Sequence, residues 1–169
     1  MGAVARFGLQ AGYAQWVSVG DPVMGGQSTG AVEPVDAESS VFRGEVSLAN
    51  GGGFASVKCD IPTLDLSGHE GVVMDVRGDG KQYKLGLRIT WDRNAPVYQH
   101  AFATTTDCRE SIMLPFAGFI PSFRGRTLPD APELDPSCIA SLSLFISGKQ
   151  AGPFALILYG IDAWASSGA

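Results

Sequence analysis

Runs of like charge, long apolar stretches and nucleic-acid motifs are all missing from this 169-residue sequence. Its formal net charge is −5 at pH 7 and its pI is about 4.9, so it has no long-range attraction for a phosphate backbone. No apolar stretch approaches the roughly 20 residues that a membrane-spanning helix needs. Hydrophobic residues still make up 45% of the chain, which is enough for a core. We therefore predict a soluble domain that does not bind nucleic acid.

Cysteine is also scarce: Cys59, Cys108 and Cys138 are odd in number, far apart and free of any C-x-x-C pair. This spacing argues against a disulfide framework or a structural zinc site and favours a reducing compartment, although one disulfide stays open. The opening segment, residues 1–15, carries Arg6 as its one charge and is too weakly apolar for a secretory signal. We predict that residues 1–15 are a lead-in and that residues 16–165 form a single domain.

Glycine and proline interrupt the chain about every ten residues, and the short apolar runs between them alternate with polar residues. The clearest run is residues 82–90, where Tyr83, Leu85 and Leu87 lie on one face of a predicted strand. Further strands are predicted around residues 42–48, 55–59, 72–76, 97–104, 110–114, 140–147 and 154–161. Eight or more short strands and almost no helical period predict an all-β sandwich.

Two connections can be assigned from their composition. Gly78-Asp79-Gly80 offers residues that tolerate positive φ, so we predict a hairpin that joins residues 72–77 to residues 82–90. The longest irregular stretch, residues 117–137, contains four prolines. We expect it to cross between sheets or to cover a sheet edge.

Catalytic motifs are weak throughout. The segment GQSTG, residues 26–30, matches the G-x-S-x-G nucleophile elbow, but the required buried strand before it and helix after it are missing. His69 and His100 lack metal-ligand spacing and are predicted to be structural. The glycines at residues 51–53 precede a predicted strand instead of a helix N-terminus, so they do not predict phosphate binding. We predict no catalytic residues, no cofactor and no metal.

Two binding alternatives stay open. Carboxylates at Asp21, Asp75, Asp79 and Asp92 could bind calcium or pair for acid/base work, or they could be solvated turn residues. The aromatic residues Trp16, Trp91, Trp164 and Tyr98 could stack on sugars, or they could pack in the core. A carbohydrate-binding module is therefore the alternative to a protein-binding domain.

Five separated blocks resemble the complex I intermediate-associated protein 30 family in their expected order. The blocks are Trp16 with DPVMGGQSTG (21–30), FRGEVSL to GGFASVK (42–58), RGDGKQYKL (77–85), LPF to FRGR (114–126) and KQAGPF onward (149–161). Lys58 is a mild departure, because the family usually carries arginine there. Together the blocks span most of the chain.

This resemblance implies a galactose-binding-like jelly roll without established catalytic residues. It also implies a role in assembling or stabilising a large organellar membrane complex, either respiratory complex I in mitochondria or a photosystem in plastids. The chain would act there as an assembly factor or as a bound peripheral subunit. Its partners would be subunits of that complex, and its expected location is soluble or peripheral to the membrane.

Within the blocks, glycine-rich loops and arginine–aromatic mixtures are the expected contact surfaces. The candidate partner-binding or loop-pinning residues are Asp21, Met24, Gly25, Gly26, Ser28, Gly53, Phe54, Arg77, Asp79, Tyr83, Phe123, Arg124 and Arg126. Arg77, Arg124 and Asp79 could instead form an internal ion-pair network.

Overall fold

The computed structural model describes residues 2–7, 16–19, 29–47, 55–90, 95–123, 126–128, 130–146 and 150–165. Its strands are β1 (Gly2–Arg6), β2 (Val17–Val19), β3 (Thr29–Pro34), β4 (Ser40–Val46), β5 (Ala55–Leu64), β6 (Gly71–Arg77), β7 (Gln82–Arg88), β8 (Val97–Ala103), β9 (Arg109–Pro115), β10 (Ile120–Phe123), β11 (Arg126–Thr127), β12 (Ile139–Ile146) and β13 (Gly152–Trp164). Short 3-10 helices occupy Phe116–Gly118 and Pro136–Cys138. No helix within the described residues is long and apolar enough to cross a membrane.

The strands form two antiparallel sheets that face each other. The six-stranded sheet has the order β3-β4-β13-β6-β9, and β1 also pairs with β13. The seven-stranded sheet has the order β11-β10-β8-β7-β12-β5-β2. This arrangement confirms the predicted all-β jelly-roll sandwich.

The core lies between the sheets because each central strand turns alternate apolar side chains inward. In the seven-stranded sheet, one inward row is Val57, Leu144 and Leu85, whose Cα atoms are paired across β5, β12 and β7. All three are 0% exposed, and Phe42 and Leu156 of the opposite sheet belong to the same cluster. The alternation predicted for residues 82–90 is confirmed from Tyr83 to Leu87, but the strand ends at Arg88.

The predicted hairpin at Gly78-Asp79-Gly80 is wrong. Strand β6 pairs with β13 and β9, whereas β7 pairs with β12 and β8, so the turn crosses from one sheet to the other. A Cβ built on Gly78 would lie 2.0 Å from the Cβ of Thr104, and Gly80 has a φ of +88°. The glycines therefore serve close packing and a left-handed backbone at a crossing, which needs the same residue types as a hairpin turn.

The stretch at residues 117–137 is less irregular than predicted, because it contains β10 and β11 at the edge of the seven-stranded sheet. As expected, it crosses between sheets, since β9 belongs to one and β10 to the other. Two hydrogen bonds hold its later part: the Tyr98 hydroxyl donates to the Pro132 carbonyl at 2.8 Å, and the Leu66 amide donates to the Pro136 carbonyl at 2.7 Å.

Candidate partner-binding site

Asp79, in the turn that crosses between the sheets, accepts hydrogen bonds from three directions. Its Oδ1 accepts from the Tyr83 hydroxyl at 2.9 Å and from the Lys81 amide at 3.1 Å. Its Oδ2 accepts from the amide of Ala155 in β13 at 2.9 Å. The carboxylate thus connects the turn to β7 of one sheet and to β13 of the other. Such a position fits a loop-pinning residue.

Tyr83 lies beneath this carboxylate and is only 1% exposed, so its ring is out of reach of a partner. It stacks on Phe102 with ring centroids 6.0 Å apart and meets Phe42 edge-on. Burial raises the pKa of Tyr83, and the negative charge of Asp79 raises it further. The hydroxyl therefore stays protonated and serves as a donor to Asp79.

Beside Asp79, two glutamines, Gln82 and Gln150, exchange a pair of hydrogen bonds. The Gln82 amide donates to Oε1 of Gln150 at 2.9 Å, and Nε2 of Gln150 donates to the Gln82 carbonyl at 2.8 Å. Together with Asp79, this pair fixes the start of β7 against the segment that leads into β13.

Arg77 does not join Asp79 in an ion pair, contrary to the network considered from the sequence. It is exposed at the end of β6, and no described residue forms an ion pair with it. The Nζ of Lys81 is the cation near Asp79, at 3.9 Å. Arg77 is therefore accessible to a partner.

Arg109 is held next to Arg77 on the outer face of the six-stranded sheet. Two of its guanidinium nitrogens donate to Asp75, at 3.0 and 2.8 Å, and its Cζ lies 3.7 Å from the centroid of the Tyr159 ring. The hydrogen bond with Asp75 raises the pKa of Arg109. Asp75 is thus committed to an ion pair.

The remaining candidates lie at one sheet edge or outside the described residues. Phe123 in β10 and Arg126 in β11 are Cα partners across a two-residue connection. Outside the described residues lie Asp21, Met24, Gly25, Gly26, Ser28, Gly53, Phe54 and Arg124. Their partner-binding role stays a prediction.

The histidines lie in backbone contacts. His69 Nδ1 lies 3.3 Å from the Leu66 carbonyl, and His100 Nδ1 lies 2.8 Å from the Ala101 carbonyl. The His100 ring also packs edge-on against Phe119. Among the described residues, no three of the types His, Cys, Asp and Glu converge on a point that could hold a metal ion.

The aromatic residues considered for sugar stacking are buried, partly buried or outside the described residues. Tyr98 is 1% exposed, so it cannot offer a face for sugar stacking. Trp16 is partly buried and stacks on Phe7 with centroids 5.9 Å apart, and Trp164 lies over Gly71. Trp91 lies outside the described residues.

One surface that the sequence analysis missed is the outer face of the seven-stranded sheet. Small or polar residues occupy the centre of this face, and two of them, Ser141 and Ser143, are at most 4% exposed. Their positions alternate with the inward-facing Leu142 and Leu144 along β12. The alternation in β12 could have suggested them, but their neighbours come from distant parts of the chain.

The architecture is that of a galactose-binding-like jelly roll. A family 11 carbohydrate-binding module from Clostridium thermocellum, solved in complex with a β-1,3-1,4-mixed-linked tetrasaccharide, superposes with a TM-score of 0.71 over 98% of both chains at 13% identity. A family 30 carbohydrate-binding module gives a TM-score of 0.61 at 14% identity, covering 97% of this chain and 96% of that one. At such identities the likeness establishes the fold alone.

The family follows from the sequence match. The model of the complex I intermediate-associated protein 30 family matches residues 5–158, and the chain belongs to that family. An uncharacterized protein of Schizosaccharomyces pombe is 28% identical over 166 residues, which cover 86% of this chain and 76% of that protein. The predicted family resemblance is thereby confirmed.

Proposed function

We propose that this chain is a non-catalytic protein-binding domain that assists the assembly or stability of respiratory complex I. The match to the complex I intermediate-associated protein 30 family over residues 5–158 carries this proposal. The chain would act either as a transient assembly factor or as a bound peripheral subunit, on or near the mitochondrial inner membrane. A plastid photosystem is the corresponding complex if the chain resides in plastids.

The geometry supports a binding role because the sandwich is rigid where its loops meet. Asp79 and the Gln82–Gln150 pair tie the crossing turn to both sheets. Arg77 remains exposed beside this fixed turn. The backbone of Arg77 is fixed in β6, and its guanidinium can pair with a partner carboxylate through two parallel hydrogen bonds, which favours specific recognition.

A carbohydrate-binding function has less support. The solved neighbours include carbohydrate-binding modules, but they share only 13–14% identity with this chain. The sugar-stacking prediction needed an exposed Tyr98, whereas this ring is buried and donates its hydroxyl to Pro132.

The test is affinity capture of the tagged chain from detergent-solubilised mitochondrial membranes, with mass spectrometry of the captured proteins. We expect recovery of complex I subunits. We also expect the charge-reversed variant Arg124→Glu/Arg126→Glu to recover less of them, because the mixture of arginine and aromatic residues in this segment predicts a contact surface.

The control is Arg43→Glu, which reverses one charge on the outer face of the six-stranded sheet. Arg43 is exposed and holds a surface ion pair with Glu33, so its replacement should cost little stability. Wild-type chain that captures no complex I subunit in several detergents would contradict the proposal.

A further inference from the structure

The outer face of the seven-stranded sheet carries a continuous row of residues that crosses six strands. Cα pairing sets each member beside the next: Val17, Lys58, Ser143, Gly86, Gln99 and Ile120. We call these residues the transverse row. With strands about 4.8 Å apart, the row is about 24 Å long.

The two ends of the transverse row are apolar and exposed, whereas its middle is polar. Val17 is 47% exposed and Ile120 is 53% exposed, and both are among the four exposed large hydrophobic residues found in the described part of the chain. Between them lie Lys58, Ser143 and Gln99. Exposed apolar anchors at both ends of a polar strip suit a ligand that lies across the strands.

Charge on this face opposes the charge of the chain as a whole. By strand alternation, the described residues on this face include three cationic side chains, Lys58, Lys84 and Arg88, and one acidic side chain, Asp60. Three cations and one anion give the face a formal charge of +2, whereas the chain carries −5. The Lys58–Asp60 contact is 3.8 Å long, and Lys58 remains 26% exposed. A ligand with negative charges is the electrostatic complement.

A buried hydroxyl on the same face lacks a hydrogen-bond partner. The Oγ of Ser141 is inaccessible to solvent and unpaired within the described structure, and the residue is only 1% exposed. Ser141 lies between Asp60 and Arg88, one alternation along β12 from the transverse row. This hydroxyl would donate to a ligand oxygen once the side chains that cover it shift on binding.

The centre of the row is shaped by Gly86. A Cβ built there would lie 2.7 Å from Val97 and 2.8 Å from the ring of Phe145, so these side chains close over the glycine. The row therefore depends on glycine at this position, where a side chain would clash with both neighbours.

We propose that this face binds an extended acidic peptide segment of a partner protein, with apolar residues at its two ends. A segment of about seven residues at about 3.3 Å each would span the row. Its apolar ends would contact Val17 and Ile120, and its carboxylates would reach Lys58 and Lys84. The inference rests on the proposed protein-binding function, for which it names the surface and the partner chemistry.

The experiment is an NMR titration of the full isotope-labelled chain with a capped heptapeptide, Leu-Ser-Glu-Ser-Glu-Ser-Leu, whose leucines and glutamates share one face of an extended chain. We expect amide shifts to concentrate at Lys58, Gly86, Gln99 and Ser143. The peptide with Gln for each Glu should bind at least about fivefold more weakly, which two partly exposed charge contacts would produce. Raising the salt from about 50 to about 300 mM should also weaken binding.

Two variants separate recognition from folding. Lys58→Gln/Lys84→Gln should weaken binding at least about fivefold, whereas the matched control Arg43→Gln/Arg109→Gln on the other sheet should leave it unchanged. Ser141→Ala should weaken binding without lowering the unfolding midpoint, because it removes an unpaired hydroxyl. A merely structural serine would instead lower the midpoint and leave binding intact.

Several outcomes would overturn the inference: equal affinity for the Glu and Gln peptides, shifts confined to the six-stranded sheet, or equal binding by the lysine variant and its control. A mixed-linked tetrasaccharide that shifts the same amides while the peptide does not would also overturn it, in favour of a glycan site. Capture of complex I subunits by Lys58→Gln/Lys84→Gln at the wild-type level would leave the proposed function standing and reject this face. A wild-type chain that captures none would reject the function itself.

Discussion

The hydrogen bonds at Asp79 allow a quantitative prediction of stability. Its carboxylate accepts three hydrogen bonds, from the Tyr83 hydroxyl and from the amides of Lys81 and Ala155. Hydrogen bonds to charged groups contribute about 1.5–3 kcal/mol each when buried. The Asp79 side chain is 22% exposed, so we discount each bond to about 1 kcal/mol and expect Asp79→Ala to cost about 3 kcal/mol.

The same reasoning ranks two milder variants. Asp79→Asn keeps one acceptor oxygen but turns an amide group toward a donor, so it should cost about half as much as Asp79→Ala. Tyr83→Phe removes one of the three hydrogen bonds and should cost about 1 kcal/mol. In a double-mutant cycle, Tyr83→Phe should cost less in the Asp79→Ala background, because its partner is already gone.

The assays are urea unfolding and thermal unfolding at pH 7, both followed by tryptophan fluorescence. A loss of about 3 kcal/mol corresponds to a fall of about 6–12 °C in Tm for a domain of this size. Asp75→Ala is the control, since its ion pair with Arg109 lies on the surface and should contribute no more than about 1 kcal/mol. If Asp79→Ala unfolds within about 0.5 kcal/mol of the wild type, the carboxylate does not hold the crossing turn.

Three further predictions concern Gly78, Tyr83 and Asp36. Gly78→Ala should destabilise the fold by about 1–3 kcal/mol, measured by urea unfolding, because its Cβ would lie 2.0 Å from Thr104; a change below the error would refute the close packing. Because the pKa of Tyr83 is raised in the folded state, its contribution to stability is intact below the unfolded pKa near 10 and falls as the pH rises above it. Tyr83→Phe should flatten this fall in the free energy of unfolding between about pH 10 and 11. An unchanged alkaline profile would show that burial does not raise the pKa of Tyr83. Hydrogen bonds from Glu38 and Ser39 lower the pKa of Asp36, so its contribution to stability is present above about pH 4 and is lost as the pH falls. Asp36→Asn should weaken this acid dependence of the free energy of unfolding. An unchanged acid profile would contradict the contribution of Asp36.

Local patterns were sufficient to predict most strands. Residues 82–87 show strict alternation because one face of β7 packs in the core, and the same reason holds for Val72, Met74 and Val76 in β6. Strands β1, β2, β3, β10 and β11 were not predicted, and β1 lies within the segment that was predicted to be a lead-in; all five are only two to six residues long. Strands at the edge of a sheet need little apolar periodicity to pair.

Connections between the sheets could not be predicted in the same way. A turn rich in glycine meets the backbone demands of a hairpin and of a crossing equally well, so Gly78-Asp79-Gly80 did not distinguish them. The pairing of β6 with β13, a strand more than 70 residues later, determines that the turn crosses between the sheets. That pairing depends on the assembled core and leaves no local trace.

The candidate contacts likewise include some that could be suspected from local sequence and others that depend on the fold. The contact between Asp79 and Tyr83 spans four residues and could be suspected from sequence, but the bond from Ala155 depends on the fold. The transverse row brings together residues of six strands, so its charge and apolar ends appear only when the register is known. Its members Lys58 and Ser143 are unremarkable residues when each is considered within its own segment.

The central claim is that the chain acts by binding complex I or its assembly intermediates. The most direct measurement is native-gel fractionation of gently solubilised mitochondria, with mass spectrometry of each slice to locate the chain and the complex I subunits. The proposed function predicts that the chain migrates with those subunits, far above its own mass of 17.7 kDa, and that Arg124→Glu/Arg126→Glu shifts it toward the monomer. Migration at the monomer mass alone, under every solubilisation condition, would contradict the account.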